Sequence, residues 1–533
     1  MTDKKQKALI EIEIEGIGTV KSVPGINLRG ALRGEGVFLD GTCADRGECG
    51  RCVVRVIEGD VAAPEKSESG LLGREAVSAG DRLACRIILT GNLKIGIDDE
   101  RLLELDRTGR WKDTFGSVLW QPEKFIPEED GYGYAIDMGT SSLAAALYDM
   151  RTGRPMDIIS AANPLIPWGE DIISRLVAYN SGDDTSSKMR ATLWKAISGL
   201  LKKLCFRNGI SGSSTLRAVL VGNTAIHHIA LGLGVKSLME PPFGPDLTEI
   251  RICSPSDLGV ESISNLPPQL VFPPPIGGFV GSDASVSLQA ALLQGRPTGA
   301  IIDIGTNCEI AVWQGERILV TSAAAGPAFE GGEIHNGMRA DTGAIFSVRL
   351  GKDEVRVQVV GGGKPIGICG TGIVDVVSEM VTLGLVDRSG LVQKDSHPML
   401  GEDGLILDES GSVIFTPGDV EAVQKAKAAI SAVLEVLMAK MDLDAVKLET
   451  VYISGAFGSM LDVNNAMGIG LLPNLPEDRY ALSGNSALVG ASCCLLSSDF
   501  LDTVLKLTGS VEFVSIADEA DFEGIYIENL FFR

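Results

Sequence analysis

The sequence predicts a multidomain chain of mixed α+β and α/β class. A small strand-rich module comes first, and a larger body built from one repeated strand–turn–strand unit follows. Three observations predict it. Four of the ten cysteines, Cys43, Cys49, Cys52 and Cys85, fall in the first 85 residues. A strict alternation of apolar and acidic residues opens the chain. One short motif, Asp-x-Gly-Thr after an apolar run, occurs at Asp137 and again at Asp303. At ~100–200 residues per domain, the 533 residues make room for roughly three or four domains.

Composition limits the function. Hydrophobic residues make up 45% and charged residues 22%, which is ordinary for a folded chain. Acidic residues number 70 against 47 basic ones, a net charge of −23. No run of Lys and Arg offsets this, so a nucleic-acid backbone or an anionic membrane surface would be repelled. No apolar run approaches the ~18 residues of a membrane span. Met1–Glu15 carries no apolar signal core. The expectation is a soluble, cytoplasmic protein.

The first module is predicted over 1–97. Leu9–Glu15 alternates with period two and reads as a half-buried strand. Gly16–Gly18 turns, and Thr19–Val23 returns as the second strand of a hairpin. Asn27–Arg33 has a short helical pattern, and Val53–Ile57 is a further strand. Cys85–Leu89 is read as opening a later one. Between them runs Cys43-x5-Cys49-x2-Cys52, with Cys85 as a distant fourth thiol. A [2Fe–2S] cluster asks for four thiolates, two per iron. Gly47 and Gly50 ease the tight wrap of backbone around it. A structural zinc site is the alternative, but zinc usually takes two C-x2-C pairs and here there is one. Four unrelated buried thiols is the bland alternative, and it ranks below zinc. The spacing is similar to that of vertebrate-type and bacterial assembly-type ferredoxins, which implies a β-grasp ferredoxin-like domain with Cys43, Cys49, Cys52 and Cys85 as metal ligands.

Residues 98–131 mix charge, tryptophan and proline without sustained periodicity and read as a linker with one short helix. Then Tyr134–Asp137 is an apolar strand ending in Asp137-Met138-Gly139-Thr140, and Leu143–Tyr148 is its partner. Gly299–Asp303, ending in Asp303-Ile304-Gly305-Thr306-Asn307, repeats the device ahead of Glu309–Trp313. A repeated unit points to a duplicated half-domain. The glycine allows a tight turn that aims backbone N–H groups at phosphate oxygens, and the threonine adds a hydroxyl. The aspartate is placed to hold Mg²⁺ through water. A plain hairpin turn favours the same residues, so one copy alone carries little.

Other glycine-rich stretches follow. Gly361–Gly363 reads as a loop. Gly367–Gly372 reads as a turn feeding a helix over Ile373–Leu383, with Gly370, Thr371 and Gly372 at an anion-binding helix start. Val451–Gly458 is a buried strand ending in Gly455 and Gly458, suited to close approach by a ribose or base. Ala324–Gly332 is a small-residue loop. Each equally suits a plain structural turn. Their order, however, is that of the actin, sugar-kinase and heat-shock ATPase superfamily, a duplicated RNase H-like fold. No G-x-x-x-x-G-K-[ST] occurs, so a P-loop is excluded. A dinucleotide site is weakly supported.

Lys188–Arg207 and Glu421–Met441 carry apolar faces at helical spacing and read as scaffold. Lys425 and Lys427 on the second read as solvated, with a turn toward nucleotide as the alternative. His227 and His228 read as helix packing rather than metal ligands. Asp283 reads as an N-cap, with a Mg²⁺ carboxylate as the other possibility. Pro241-Pro242 and Pro273–Pro275 mark rigid loops.

Taken together, the cysteine module with Asp137–Thr140, Asp303–Asn307, Gly367–Gly372 and Ser454–Gly458 resembles the ATP-dependent reductive activators of corrinoid proteins, over essentially the whole chain. The resemblance implies an order of domains: 1–97 [2Fe–2S] domain, 98–131 linker, 132–210 middle domain as the first RNase H-like half, and 211–533 ATPase-type domain. It implies that the chain returns the Co(II) corrinoid of a methyltransferase corrinoid protein to Co(I), one electron at a time. A separate protein would donate the electron, Mg-ATP would be the nucleotide, and the chain would be a homodimer. Asp137 and Asp303 would be the catalytic carboxylates. Gly139, Thr140, Gly305, Thr306 and Asn307 would cradle the phosphates, and Gly455 and Gly458 would flank the adenosine. Two alternatives stand beside it: a small-molecule kinase with a redox-sensing ferredoxin domain, and a nucleotide-gated electron-carrier module. A radical-dehydratase activator fits less well, because it relies on a [4Fe–4S] cluster between subunits. No residue is singled out as a general base.

Overall fold

Alternation in the opening segment becomes a strand. β1 (Ile10–Ile14) turns its three isoleucines inward and its two glutamates outward. It pairs antiparallel with β2 (Gly18–Ser22). Helix α1 (Leu28–Gly34) buries Leu28 and Leu32 against it. β3 (Val53–Glu58), helix α2 (Lys66–Leu72), β4 (Asp81–Leu83) and β5 (Leu93–Gly96) complete a five-stranded mixed sheet of order β2-β1-β5-β3-β4. β1 and β5 run parallel at its centre. The computed structural model describes residues 10–15, 18–34, 39, 52–97, 119, 125, 127, 129–169, 171–241, 243–393, 396–455, 457 and 460–533. The proposed linker, and Cys43 and Cys49, therefore lie wholly or largely outside the described residues. Cys85 does not open a strand, as the sequence reading had it. It sits in a single helical turn, Ala84–Arg86, after which the chain bonds to residues 26–28: Leu28 N–H donates to the Ile87 carbonyl and Leu89 N–H to that of Ile26.

The body contains the expected duplication. β6 (Tyr132–Met138), β7 (Ser142–Asp149) and β8 (Arg154–Ala162) form an antiparallel meander. Helix α3 (Asp183–Arg207) packs Met189, Leu193, Trp194, Ile197 and Leu201 onto it. β9 (Thr215–Gly222) returns parallel to β6 and leads into helix α4 (Thr224–Leu231). β10 (Arg251–Cys253) and β11 (Gln269–Phe272) follow, giving the order β10-β11-β9-β6-β7-β8. Helix α5 (Ser282–Leu292) closes this half. The boundary expected at residue 210 falls inside this path, since β9 and β11 belong to the first sheet.

The second half repeats the pattern. β12 (Thr298–Ile304), β13 (Cys308–Gln314) and β14 (Arg317–Ala323) are its meander. An insertion follows: β15 (Ala344–Leu350), β16 (Val355–Val359) and β17 (Gly367–Ile368) in one small sheet, helix α6 (Gly370–Thr382), and the pair β18 (Leu405–Ile406) and β19 (Ile414–Phe415). Helix α7 (Pro417–Lys440) starts four residues earlier than its apolar face suggests. Thr416 and Asp419 form a reciprocal capping box there. β20 (Thr450–Gly455) lies parallel to β12, as β9 does to β6. β21 (Tyr480–Gly484), helix α8 (Ser486–Leu496), β22 (Glu512–Phe513) and helix α9 (Phe522–Leu530) complete the chain. The sheet order is β21-β20-β12-β13-β14-β22.

A third core joins the halves. Small residues on one face of each central meander, Ala135, Ala144 and Ala146 on the first and Ala311 on the second, let α5 and α8 pack between the sheets. The helices touch where Gly490 meets Val286; a Cβ at Gly490 would lie 2.5 Å from that valine. Ser486 and Ser287 bond across the same contact at 2.9 Å.

Three local readings change. Gly370, Thr371 and Gly372 are the buried first turn of α6 rather than a loop before it. Asp283 is not the N-cap of α5; Gly281 holds that position. Lys427 is not solvated. It is buried, with Nζ donating to the carbonyls of Asn529 and Phe531 at 2.5 and 2.7 Å, while Lys425 stays exposed and pairs with Glu421. His227 and His228 are packed in α4, as expected. No helix among the described residues is long and apolar enough to cross a membrane.

Candidate functional site

The two Asp-x-Gly-Thr motifs occupy equivalent places. β6 and β12 show the same burial pattern, four buried residues and then a half-buried aspartate before the last, buried, position. Ile136 and Met138, like Ile302 and Ile304, point into the half-domain cores. Strand alternation therefore sends Asp137 and Asp303 to the opposite face, toward the cleft between halves.

Neighbouring elements bring further polar groups to them. Gly281 and Gly222 allow α5 to start against the end of β9; a Cβ on Gly281 would lie 2.4 Å from the Gly222 carbonyl. That approach brings Asp283 beside Asp137. From the other half, Asn485 caps α8 through the N–H of Leu488 and donates its amide to Asp137 at 3.0 Å. Glu309, opposite Asp303 on β13, accepts from the hydroxyl of Ser322 at 3.2 Å. Gly455 has φ of +89°, and a Cβ there would lie 2.5 Å from the Asp303 carboxylate. Only glycine lets β20 end beside that group.

The result is a nest of carboxyl groups. Burial pushes Asp137 up to about 7, helped by the charge of Asp303 and opposed by the Asn485 amide. Burial also raises Asp303 to about 6, against the hydroxyls of Ser454 and Ser486. Asp283 is raised by burial and by Asp137. Glu309 is raised well above its ordinary value by burial and by Asp283 and Asp303. Such a set stores a demand for positive charge. Among the described residues no three side chains converge as direct ligands of one ion, so a cation here would keep water between itself and most of them.

The hairpin loops face the same cleft. In the first, Asn163 donates to the Gly139 carbonyl at 2.7 Å and Asn223 donates to the Thr140 hydroxyl at 3.2 Å. A Cβ on Gly139 would lie 2.9 Å from the Ser142 carbonyl. In the second, the N–H and hydroxyl of Thr306 donate to Glu330 at 3.0 and 3.1 Å. Gly305 and Asn307 complete that turn; a Cβ on Gly305 would lie 3.2 Å from the Asn307 carbonyl. The hydroxyl of Ser141, from the first loop, also donates to Glu330. Backbone N–H groups, hydroxyls and a water-held cation are what phosphoryl oxygens require.

Gly370 and Gly372 contribute differently. Cβ atoms there would lie 2.2 Å from the Phe329 carbonyl and 2.4 Å from the Ile345 carbonyl, so both glycines seat α6 on its neighbours. The Thr371 hydroxyl donates to the Phe346 carbonyl at 2.8 Å. Gly458 lies outside the described residues. Glu309, Glu330 and Asn485 were not assigned roles from sequence. Asn485 stands between a strand and a helix in Gly484-Asn485-Ser486, a capping signal that gives no hint of its partner.

In the first domain, the two described cysteines are brought together. Val53 on β3 pairs with Leu83 on β4, and Ala84 N–H donates to the Cys52 carbonyl at 2.7 Å. Cys52 and Cys85, both buried, thus flank one rung of the sheet. The buried pair Arg82–Glu68 braces this rung: Arg82 donates twice to Glu68, at 2.9 and 3.1 Å, and Leu83 N–H donates to it at 2.7 Å.

The comparisons agree with these parts. Residues 12–90 match the 2Fe–2S iron–sulfur cluster binding domain, 132–295 the middle region of RACo, and 298–533 the C-terminal ASKHA domain of RACo. The chain is 32% identical to the corrinoid activation enzyme RamQ of Eubacterium limosum, covering 76% of this chain and 72% of that one. It is 26% identical to the [Co(II) methylated amine-specific corrinoid protein] reductase of Methanosarcina barkeri, covering 74% and 76%. A solved reductive activator for corrinoid, iron–sulfur protein shares the fold, with a TM-score of 0.69 and 24% identity over 98% of both chains.

Proposed function

The chain belongs to the family of reductive activators of corrinoid proteins, and we propose that it uses ATP to return the Co(II) corrinoid of a methyltransferase corrinoid protein to Co(I). A [2Fe–2S] cluster bound by Cys43, Cys49, Cys52 and Cys85 supplies the single electron. The burial of Cys52 at the start of β3 and of Cys85 in the turn just after β4 suits that ligand role. A separate electron-donor protein reloads the domain, and the chain works as a cytoplasmic homodimer.

The observation that carries the nucleotide half is the pairing of Asp137 and Asp303 on equivalent strands of two facing half-domains. Mg-ATP fits between them. Asp137, Asp283 and Asp303 orient the water shell of the cation. The loops at Gly139–Thr140 and Gly305–Asn307 donate to the phosphates. By the resemblance, Gly455 and Gly458 would flank the adenosine. Asn485 reaches from one half to Asp137 of the other, so a cation drawing on Asp137 also pulls on the α8 end.

The energetics explain why a nucleotide is needed. Co(I) is a strong reductant, so electron transfer to Co(II) runs uphill. Docking that strips an axial ligand raises the cobalt potential, because axial ligation is a main lever on it. The tight complex must then be released. ATP achieves this only if the two states of the body differ in affinity for the partner. Anaerobic cobalamin spectroscopy with Cys43→Ala checks the assignment: Co(I) formation should vanish while ATP hydrolysis persists. Undiminished Co(I) formation would remove the cluster from the pathway.

A further inference from the structure

Glu330 occupies a place that the phosphate chemistry above leaves without a role for it. One carboxylate accepts the N–H of Thr306 at 3.0 Å, the Thr306 hydroxyl at 3.1 Å and the Ser141 hydroxyl. Ser141 belongs to the first loop and Thr306 to the second, so a single side chain draws donors from both halves. A backbone N–H with two hydroxyls is the donor set that a phosphoryl group would take.

The turn that presents Glu330 is tightly built. Ala328–Glu330 is one helical turn, closed by Gly331 at φ +85°. A Cβ on Gly331 would lie 2.5 Å from the Met338 backbone, one on Gly337 2.1 Å from the Gly331 carbonyl, and one on Gly370 2.2 Å from the Phe329 carbonyl. These close backbone contacts hold the turn against two segments, 337–338 and the start of α6. With the backbone so held, only rotation of its side chain could move the carboxylate from its seat. Arg339, donating to the Ser141 carbonyl at 2.9 Å, holds the first loop close.

We propose that Glu330 is a built-in stand-in for the terminal phosphate of the nucleotide, and that it lets the body tell a triphosphate from a diphosphate, at the cost of weaker triphosphate binding. With a diphosphate bound, or nothing, the carboxylate keeps its donors and ties the two loops together. A terminal phosphate claims the same N–H and hydroxyls, and two anions at hydrogen-bonding distance repel. The side chain is displaced, and a link between the halves is broken only when the third phosphate is present. This rests on the nucleotide reading of the cleft given above.

The test uses the intact chain as wild type, E330Q and E330A, titrated by calorimetry with Mg-ADP and with a non-hydrolysable Mg-triphosphate analogue. Glutamine keeps the size and removes the charge; alanine removes the competitor altogether, and a melting curve checks that each variant folds. Both variants should bind the triphosphate analogue about tenfold more tightly, with ADP affinity within about twofold of wild type. Equal tightening of both ligands, no change, or weaker triphosphate binding would overturn the proposal. A wild-type chain that binds neither nucleotide would remove the nucleotide reading and the role of Glu330 with it. Failure of Glu330 alone would leave wild-type binding intact.

Discussion

At the scale of single residues, Asp137 carries the largest testable consequence. Its folded-state value of about 7 lies above the ordinary 3.8. The folded body therefore binds this proton more tightly than the unfolded chain, and the associated stability is lost as pH rises from about 4 to 7. With coupling to Asp283 and partial solvent access discounted, the effect at pH 7.5 is about 2 kcal/mol. Asp137→Asn should raise the melting temperature of the nucleotide-free protein at pH 7.5 by roughly 3–6 °C and by only about a third as much at pH 5. The same variant should lose about 100-fold or more in ATP turnover. Differential scanning fluorimetry in a chelator, at both pH values, reads the first; an equal shift at pH 5 and 7.5 would contradict the charged-nest account. Lys427 gives a second residue-scale prediction. It is lowered to about 8, by burial first and then by the nearby Arg533, yet it holds the carbonyls of Asn529 and Phe531. Lys427→Ala should cost about 2–4 kcal/mol, because two buried acceptors lose their donor. Hydrogen exchange should show protection falling across 522–533 and not in the first sheet.

Elements show what was legible in the sequence and what was not. β1, β6 and β12 could be read directly, since alternation or an unbroken apolar run is a local property. The duplication was legible for the same reason: both motifs sit at the same point of a strand pair. Gly370–Gly372 misled because a glycine turn before a helix and a glycine-bearing first turn have the same spelling. What separates them is the Phe329 carbonyl, which is supplied from 41 residues away, 370 minus 329. Asp283, Glu330 and Asn485 share that difficulty, as each acquires its meaning from a partner on another element. Glu68 is a further case. A glutamate in a short exposed-looking helix gives no sign that it braces β4, yet it is buried and holds both Arg82 and Leu83. Glu68→Ala leaves the Arg82 charge buried without its partner, a loss of about 3–5 kcal/mol. The Ala84–Arg86 turn should loosen with it. Purified anaerobically, the variant should contain well under half the iron of wild type, measured against nucleotide affinity as an internal standard that stays unchanged.

For the whole molecule, the question is how a nucleotide bound in the proposed cleft would change anything at a distance. The halves share a core made by α5 and α8, and the N-terminal ends of these helices carry Asp283 and Asn485, the two groups that reach Asp137 from different sides. A rearrangement at the cleft is thus delivered to the helix pair directly. The pair crosses at Gly490 and Val286, where a Cβ on the glycine would meet the valine side chain at 2.5 Å and its backbone at 2.7 Å. Neither helix can yield there without moving as a body, because closely packed interiors have little room to deform. Gly490→Ala tests whether this crossing is the pivot. The added methyl favours the helix by about 1 kcal/mol through propensity alone. It also pushes α8 from α5, carrying Asn485 away from Asp137. If the crossing transmits the nucleotide state, ATP should still bind within about threefold of wild type, while ATP-driven release of the corrinoid protein slows at least about tenfold. Surface-immobilised partner, loaded with the variant and washed with and without ATP, gives both rates in one experiment. Release at the wild-type rate would move the pivot elsewhere, to the loops bridged by Ser141 and Glu330.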